Sequence, residues 1–292
     1  MKPSNKSGLL FLLFPALAIY LFAVVAPFIG TLGLSFFRWD GYAKPIWAGF
    51  DNYVRACKDQ VFQSTFAHVL IYILVTLIVE VLLGLILAGY ISSRRNTTFL
   101  RISLFIPVML PSVVIAVLWS AIYNPDYGIL NSILADIGLA NLQHVWLGDP
   151  TTALLSICLV SGWVYSGFFM AIFVAAFSRL PSEVIESASL DGAGAYQIFR
   201  KIKVPMIQQS TSVAILLCIT GGVQGFDLFY VMTNGGPYNT TEVPTTYLVK
   251  TVFANGEIGY GSALAILISL VGLFAALGFR TWQSRKQEEL EY

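Results

Sequence analysis

Six apolar runs, each long enough to cross a bilayer, constrain this chain more than any other feature. They fall at about 9–36, 66–91, 99–123, 152–178, 208–232 and 261–282. A hydrocarbon core of about 30 Å needs roughly 20 apolar residues in a helix. Lipid offers no hydrogen-bond partners, so a segment inside it must be helical or belong to a closed barrel. The runs are continuous and lack the period-two alternation of barrel strands. The expected fold is therefore all-α: a polytopic membrane protein with six transmembrane helices, forming a single domain over residues 1–292. Composition agrees, with 57% hydrophobic and 11% charged residues, against about 25% charged in soluble domains.

The first run follows Met1-Lys2-Pro3-Ser4-Asn5-Lys6. It is too long for the apolar region of a signal peptide, and no small-residue cleavage site punctuates it. It is read as a retained first span. Pro15, Pro27, Pro107 and Pro111 lie within runs, which predicts kinked helices supported by neighbours.

Orientation follows from Lys and Arg, which accumulate on the cytoplasmic side. Lys2, Lys6, Arg94, Arg95, Arg101, Arg179, Arg200, Lys201, Lys203, Arg280, Arg285 and Lys286 fall on one side, 12 of 17 basic residues. The stretch 124–150 on the other side has none. Both termini and the loop 180–206 are expected in the cytoplasm. Trp39, Tyr42, Trp47, Trp119, Tyr123 and Trp146 suit the opposite membrane interface. The membrane lipid is thus one partner.

Several chemistries have no residues to carry them. There is no phosphate-binding G-x-x-x-x-G-K-[ST] and no H-E-x-x-H. Only His68 and His144 are present, and Cys57, Cys158 and Cys218 lack disulfide or zinc spacing. Net charge is +1, too small to attract nucleic acid. A non-catalytic chain with no metal or cofactor of its own is expected.

The loop 180–206 reads as two short helices. Pro181 suits a first helical turn, and Glu183 faces the positive end of the helix dipole. Gly192 can end the first helix in a left-handed conformation. The second runs from about Ala195 to Ile202, with Arg200, Lys201 and Lys203 at its C-terminal end, and Pro205 is expected to break it before the next span. The small residues Ser187, Ala188, Ser189 and Ala193 would let another surface approach closely.

Here the sequence resembles inner-membrane permeases of ATP-binding-cassette importers. Those carry E-A-A, three residues, G, nine residues, I-x-L-P. This chain has Glu186-Ser187-Ala188, three residues, Gly192, nine residues, then Ile202-Lys203-Val204-Pro205. It departs by Ser for Ala and Val for Leu. The resemblance implies that Glu186, Ser187, Ala188, Asp191, Gly192, Ala193, Ile202 and Pro205 form a coupling loop that docks on an ATPase subunit. Gly49-Phe50-Asp51-Asn52-Tyr53, Tyr127-Gly128-Ile129-Leu130-Asn131, Asp191-Gly192-Ala193, Thr233-Asn234-Gly235-Gly236-Pro237 and Gly259-Tyr260-Gly261-Ser262-Ala263 are similar to segments of the carbohydrate branch, which spans maltose, multiple-sugar and glycerol-phosphate types. No large external domain interrupts the spans, unlike the maltose protein. The implied partners are a second homologous permease, two ATP-binding subunits that hold ATP and magnesium, and an external solute-binding protein. The location that the resemblance implies is a bacterial or archaeal plasma (inner) membrane.

Sugars bind through aromatic faces and polar groups that take hydroxyls. Trp163 and Tyr165 in the fourth run, and Gln224, Phe226, Asp227 and Tyr230 in the fifth, combine both and are the candidate solute path. Bundle packing is the competing reading of each. Tyr72, Thr76, Glu80, Gly84 and Ala88 recur every four residues, which reads as a helix-contact stripe with Glu80 a hydrogen-bonded carboxyl facing protein. Glycerol phosphate or a polyol is the alternative solute. A stand-alone secondary transporter is the alternative class and would call for inverted repeats, discontinuous helices or intramembrane charge pairs.

Overall fold

A computed structural model describes the backbone at residues 6–94 and 96–288 and side chains at 13–94 and 96–281. Of the charges used for orientation, Lys2, Arg95 and the side chains of Lys6, Arg285 and Lys286 lie outside the described residues.

Helix α1 (Leu13–Leu34) is the apolar part of a helix that begins at Lys6. A two-stranded antiparallel hairpin follows, β1 (Phe37–Arg38) with β2 (Ile46–Trp47), pairing Phe37 with Trp47. Then come α2 (Asp51–Lys58), α3 (Gln60–Ser92), α4 (Thr98–Met109), α5 (Ser112–Ile122) and α6 (Ile129–Asp136). Helix α7 (Ala153–Phe177) precedes α8 (Ser182–Leu190) and α9 (Ala195–Met206). The chain ends with α10 (Gln208–Val223), α11 (Asp227–Met232), α12 (Pro244–Val249) and α13 (Ile258–Glu288). Helices α1, α3, α7 and the Ile258–Thr281 part of α13 are each long and apolar enough to cross a membrane. Counting the bent pairs α4/α5 and α9/α10 as one span each raises the number to six. The fold is all-α.

The bends have local causes. Helices α4 and α5 meet at 99°. Between them Leu110 is extended (ψ 145°), the conformation that a following proline favours, and Pro111 follows at ψ 132°. The third predicted span is thus two helices, not one. The fifth also differs: α10 stops at Val223, and α11 begins only at Asp227. Pro205 does not break its helix. A π-helical stretch, Phe199–Lys203, precedes it, and the helix runs on to Met206 before bending by 74° at Ile207. The widened π turn makes room for the ring and for the missing N–H.

Two compact units emerge. One contains the described residues up to Gln63 together with Tyr247–Val271. Within it Asn52 is buried and donates to the Ser35 and Phe37 carbonyls at 2.8 and 2.9 Å, fixing α2 against the hairpin. Asp59 caps the start of α3 through the amides of Val61 and Phe62 and accepts the Tyr247 and Tyr260 hydroxyls at 2.5 and 2.8 Å. Burial pushes its carboxyl upward, but these donors outweigh burial and hold it below the ordinary 3.8.

The other unit contains Ser64–Thr246 and the described residues from Gly272 onward. Helix α7 is its centre, with 61% of its apolar window buried against none of α1's. Its small residues let neighbours approach to backbone contact. A Cβ on Gly167 would collide with the Leu104 carbonyl oxygen of α4, and one on Gly84 would lie 2.8 Å from Phe169 Cβ. The stripe Tyr72, Thr76, Glu80, Gly84 and Ala88 of α3 is buried along its whole length. A strict four-residue repeat drifts by about 40° per step on an α-helix. The π segment Leu77–Leu82 turns less per residue and offsets part of that drift.

Two outcomes follow. Gly167→Ala is expected to lower stability by about 1–3 kcal/mol through overpacking, whereas Gly221→Ala, with nothing within 4 Å, changes it little; thermal unfolding in detergent compares them. Because the Asp59 carboxyl is depressed in the folded chain, its contribution is full above the unfolded value and vanishes as pH falls through the folded one. Asp59→Asn should therefore flatten the acid limb of the stability profile below about pH 4, read as melting temperature against pH.

Candidate functional site

The loop between α7 and α10 is built to hold one shape. Pro181 occupies the residue before α8 in extended backbone (ψ 126°) rather than the first helical turn, which Ser182 and Glu183 open. At the other end Gly192 has φ +84°. Its amide donates to Ser189 O at 3.1 Å, and the Ala193 amide to Ala188 O at 3.0 Å. These two bonds are a Schellman cap, which satisfies carbonyls the helix leaves open. A Cβ at Gly192 would meet no neighbour, so the requirement there is conformational alone. The Gly194 amide donates to Gln197 Oε1 and pins the start of α9.

The outer face of this loop is open. Glu186, Ser187, Asp191 and Gly192 are exposed, Ala188 and Ala193 partly so, and Leu190 is 89% and Tyr196 69% exposed. Its inner face is anchored. Ile198 and Ile207 are buried, and Phe199 packs edge-on against Phe177 at the end of α7. The Phe199 ring also fills the space above Gly89 of α3. Ile202 is half-buried on α9 and Pro205 is exposed.

A second feature is a cavity of about 380 Å³ walled by α3, α5, α7, α10, α11 and the break before α11. Of the residues assigned to the solute path, Tyr165, Gln224, Phe226 and Asp227 line it. Tyr230 is joined to it through Phe226, whose ring it stacks on at 4.9 Å. Trp163 is not brought to the cavity; its ring packs against Trp119 at 5.6 Å. The wall also includes Tyr72, Thr76, Glu80, Ser112, Phe168 and Cys218. Ser112 and Cys218 carry no mark in the sequence, being single small polar residues in apolar runs. Tyr72, Thr76 and Glu80 read as a contact stripe; they are that and cavity wall at once.

The polar part of this wall is a relay of hydrogen bonds. Ser161 Oγ donates to Glu80 Oε1 at 2.7 Å. The serine proton being used, the Tyr72 hydroxyl is the donor in its 2.7 Å contact with Ser161 Oγ. Cys218 Sγ lies 4.0 Å from Glu80 Oε2 and 3.5 Å from Thr76 Oγ1. Glu80 is 5% exposed, and a carboxyl so placed needs these donors. Across the cavity the Ser112 hydroxyl donates to Asp227 Oδ2. Ser161→Ala strips both Glu80 and Tyr72 of a partner and should cost about 1–3 kcal/mol. A melting temperature unchanged by it, with the exposed Ser178→Ala as control, would contradict the relay.

The remaining family-like segments serve the fold. Asn131 accepts from Trp146 Nε1 at 2.8 Å and donates to His144 O at 3.1 Å. Thr233 and Thr241 hydroxyls meet at 2.7 Å, and Thr241 also donates to Gly236 O.

Comparison with known proteins adds the family. Residues 80–289 match the family described as "Binding-protein-dependent transport system inner membrane component". The "Probable ABC transporter permease protein YurN" of Bacillus subtilis is 35% identical over 95% of this chain and 96% of its own. The diacetylchitobiose uptake system permease protein NgcF of Streptomyces coelicolor is 32% identical over 90% of this chain and 78% of its own. Among solved structures, a bacterial ABC transporter involved in import of the acidic polysaccharide alginate superposes with a TM-score of 0.84 at 22% identity, over 96% of each chain. The break at 224–226 is a discontinuity of the kind expected of a secondary transporter, so helix continuity does not separate the two classes; the family match does. The chain belongs to the inner-membrane components of binding-protein-dependent transport systems, the permease subunits of ABC importers.

Proposed function

We propose that this chain carries saccharides across the plasma membrane as half of a translocation path, driven by ATP hydrolysed on separate subunits. The observation that carries this reading is the loop: a rigidly capped turn that exposes Leu190 and Tyr196 beside small and polar residues, with its inner face wedged between the helices that wall the cavity. Leu190 and Tyr196 project from it, and exposed apolar side chains on an otherwise ordered turn fit a partner's groove. Two such loops, one from each permease of a pair, would be drawn together as an ATPase dimer closes. Glu186, Ser187, Ala188, Asp191, Gly192 and Ala193 would meet the ATPase, while Ile202 and Pro205 lie on the helix that transmits the pull. ATP and magnesium would sit on those partners.

Energetically, ATP must bind one state of the assembly better than the other. Taking the equilibrium from 1:99 to 99:1 needs about 5.5 kcal/mol of such preference. The loop passes that bias to α9, then through Phe199 to α7 and α3, which hold Tyr165 and Glu80 in the cavity wall. In this scheme all of 1–292 acts as one permease domain with both termini and the loop in the cytoplasm. An external binding protein delivers the solute to the opposite face.

Aromatic rings beside hydroxyls and carboxyls in the cavity suit a saccharide, and a relative serves diacetylchitobiose uptake. A glycerol phosphate would call for Arg or Lys; among the described residues lining the cavity there is none. The test is the double variant Glu186→Lys, Gly192→Val. The β-branched residue cannot hold φ +84° without strain, and the charge is reversed at the docking face. Uptake by cells should fall to background while the ATPase subunits retain basal hydrolysis. Normal uptake would rule the reading out.

A further inference from the structure

We infer that Asp227 makes the cavity a charge filter that admits uncharged solutes and turns back anionic ones. This rests on the cavity being part of the solute path, as proposed above.

Two carboxyls line the cavity, and among the described lining residues none is Lys, Arg or His. The two are placed differently. Glu80 is 5% exposed, with Oε1 held by Ser161 and Oε2 turned toward Cys218. It belongs to the wall. Asp227 is exposed and stands where the backbone leaves one helix and starts the next. Only its Oδ2 is engaged, by the Ser112 hydroxyl; among the described residues Oδ1 accepts no hydrogen bond. A solute in the cavity therefore meets an open carboxylate oxygen.

Two physical effects then act in the same direction. A sugar hydroxyl can donate to Oδ1, whereas an ionised carboxylate or a fully ionised phosphate brings only acceptors to an acceptor. Phe226, backed by the Tyr230 ring it stacks on, walls the site with apolar surface together with Phe168 and Phe169. Apolar walls lower the local dielectric and extend the reach of the Asp227 charge. With no cation on the wall to offset it, an anion is opposed both by charge and by hydrogen-bond mismatch. Asp227 is thus a specificity-determining residue acting on solute charge, independent of what the external binding protein selects.

The test reads cavity charge without needing the natural solute. Leu217 lines the cavity and is partly exposed, so Leu217→Cys reports on it in a chain whose three native cysteines are replaced by Ala. In membranes holding the whole transport complex, the cysteine is reacted with uncharged and with anionic methanethiosulfonates. The ratio of the two rates cancels the thiol's own reactivity. With Asp227 present the anionic reagent should be slower by about tenfold. Asp227→Asn should bring the ratio close to one, and Asp227→Glu should keep it near the native value. A ratio that Asp227→Asn leaves unchanged overturns the filter while leaving the path intact. If the uncharged reagent never reaches the cysteine with or without ATP, the path reading falls and the filter falls with it.

Discussion

A backbone inside hydrocarbon has no water to bond with, and the shape of this protein follows from that one constraint. Each long segment satisfies its own N–H and C=O groups as helix. Departures occur only where something else takes over. At Leu110–Pro111 two helices diverge by 99°. At 224–226 the chain unwinds beside the cavity, where protein and solvent can reach its polar groups. The place where the helix fails is therefore also the place where Gln224, Phe226 and Asp227 can face a solute.

Backbone contact between helices then links that cavity to the loop. Gly84 and Gly167 let α3 and α4 touch α7 at its own backbone level, leaving little slack. Phe199 of α9 lies against Phe177 at the end of α7 and above Gly89 of α3. Displacement of α9 by a partner would press through Phe199 on these two helices, and both carry cavity residues. Close packing of this kind is stiff and shifts between discrete arrangements rather than deforming smoothly.

The sequence revealed the helices because lipid demands long uninterrupted apolar runs, and it revealed the loop because spacing from Glu186 to Pro205 is conspicuous in a polar stretch. It misplaced the breaks. Pro205 looked like a terminator, yet a π turn upstream absorbs it, and no local pattern announces a π turn. Gly225 and its neighbours read as helix because they are apolar enough, although the chain unwinds there. The cavity was only half legible. Tyr165, Phe226 and Asp227 stood out as aromatic or charged residues in a span, but Ser112 becomes significant only when tertiary packing brings its hydroxyl to Asp227, 115 residues away. Trp163 carried the same chemistry as Tyr165 and faces a different neighbour, because two residues along a helix turn the side chain by about 200°.

Whether the loop is the seat of an ATPase decides the rest. The direct measurement is photo-cross-linking from a benzoylphenylalanine placed at Leu190, in membranes that contain the complete transport complex. Capture of an ATP-binding subunit at this position, weakened by Gly192→Val, is the predicted result. No adduct with that subunit from Leu190, and capture instead from the apolar face of α5 at Val117, would mean that force enters the permease elsewhere.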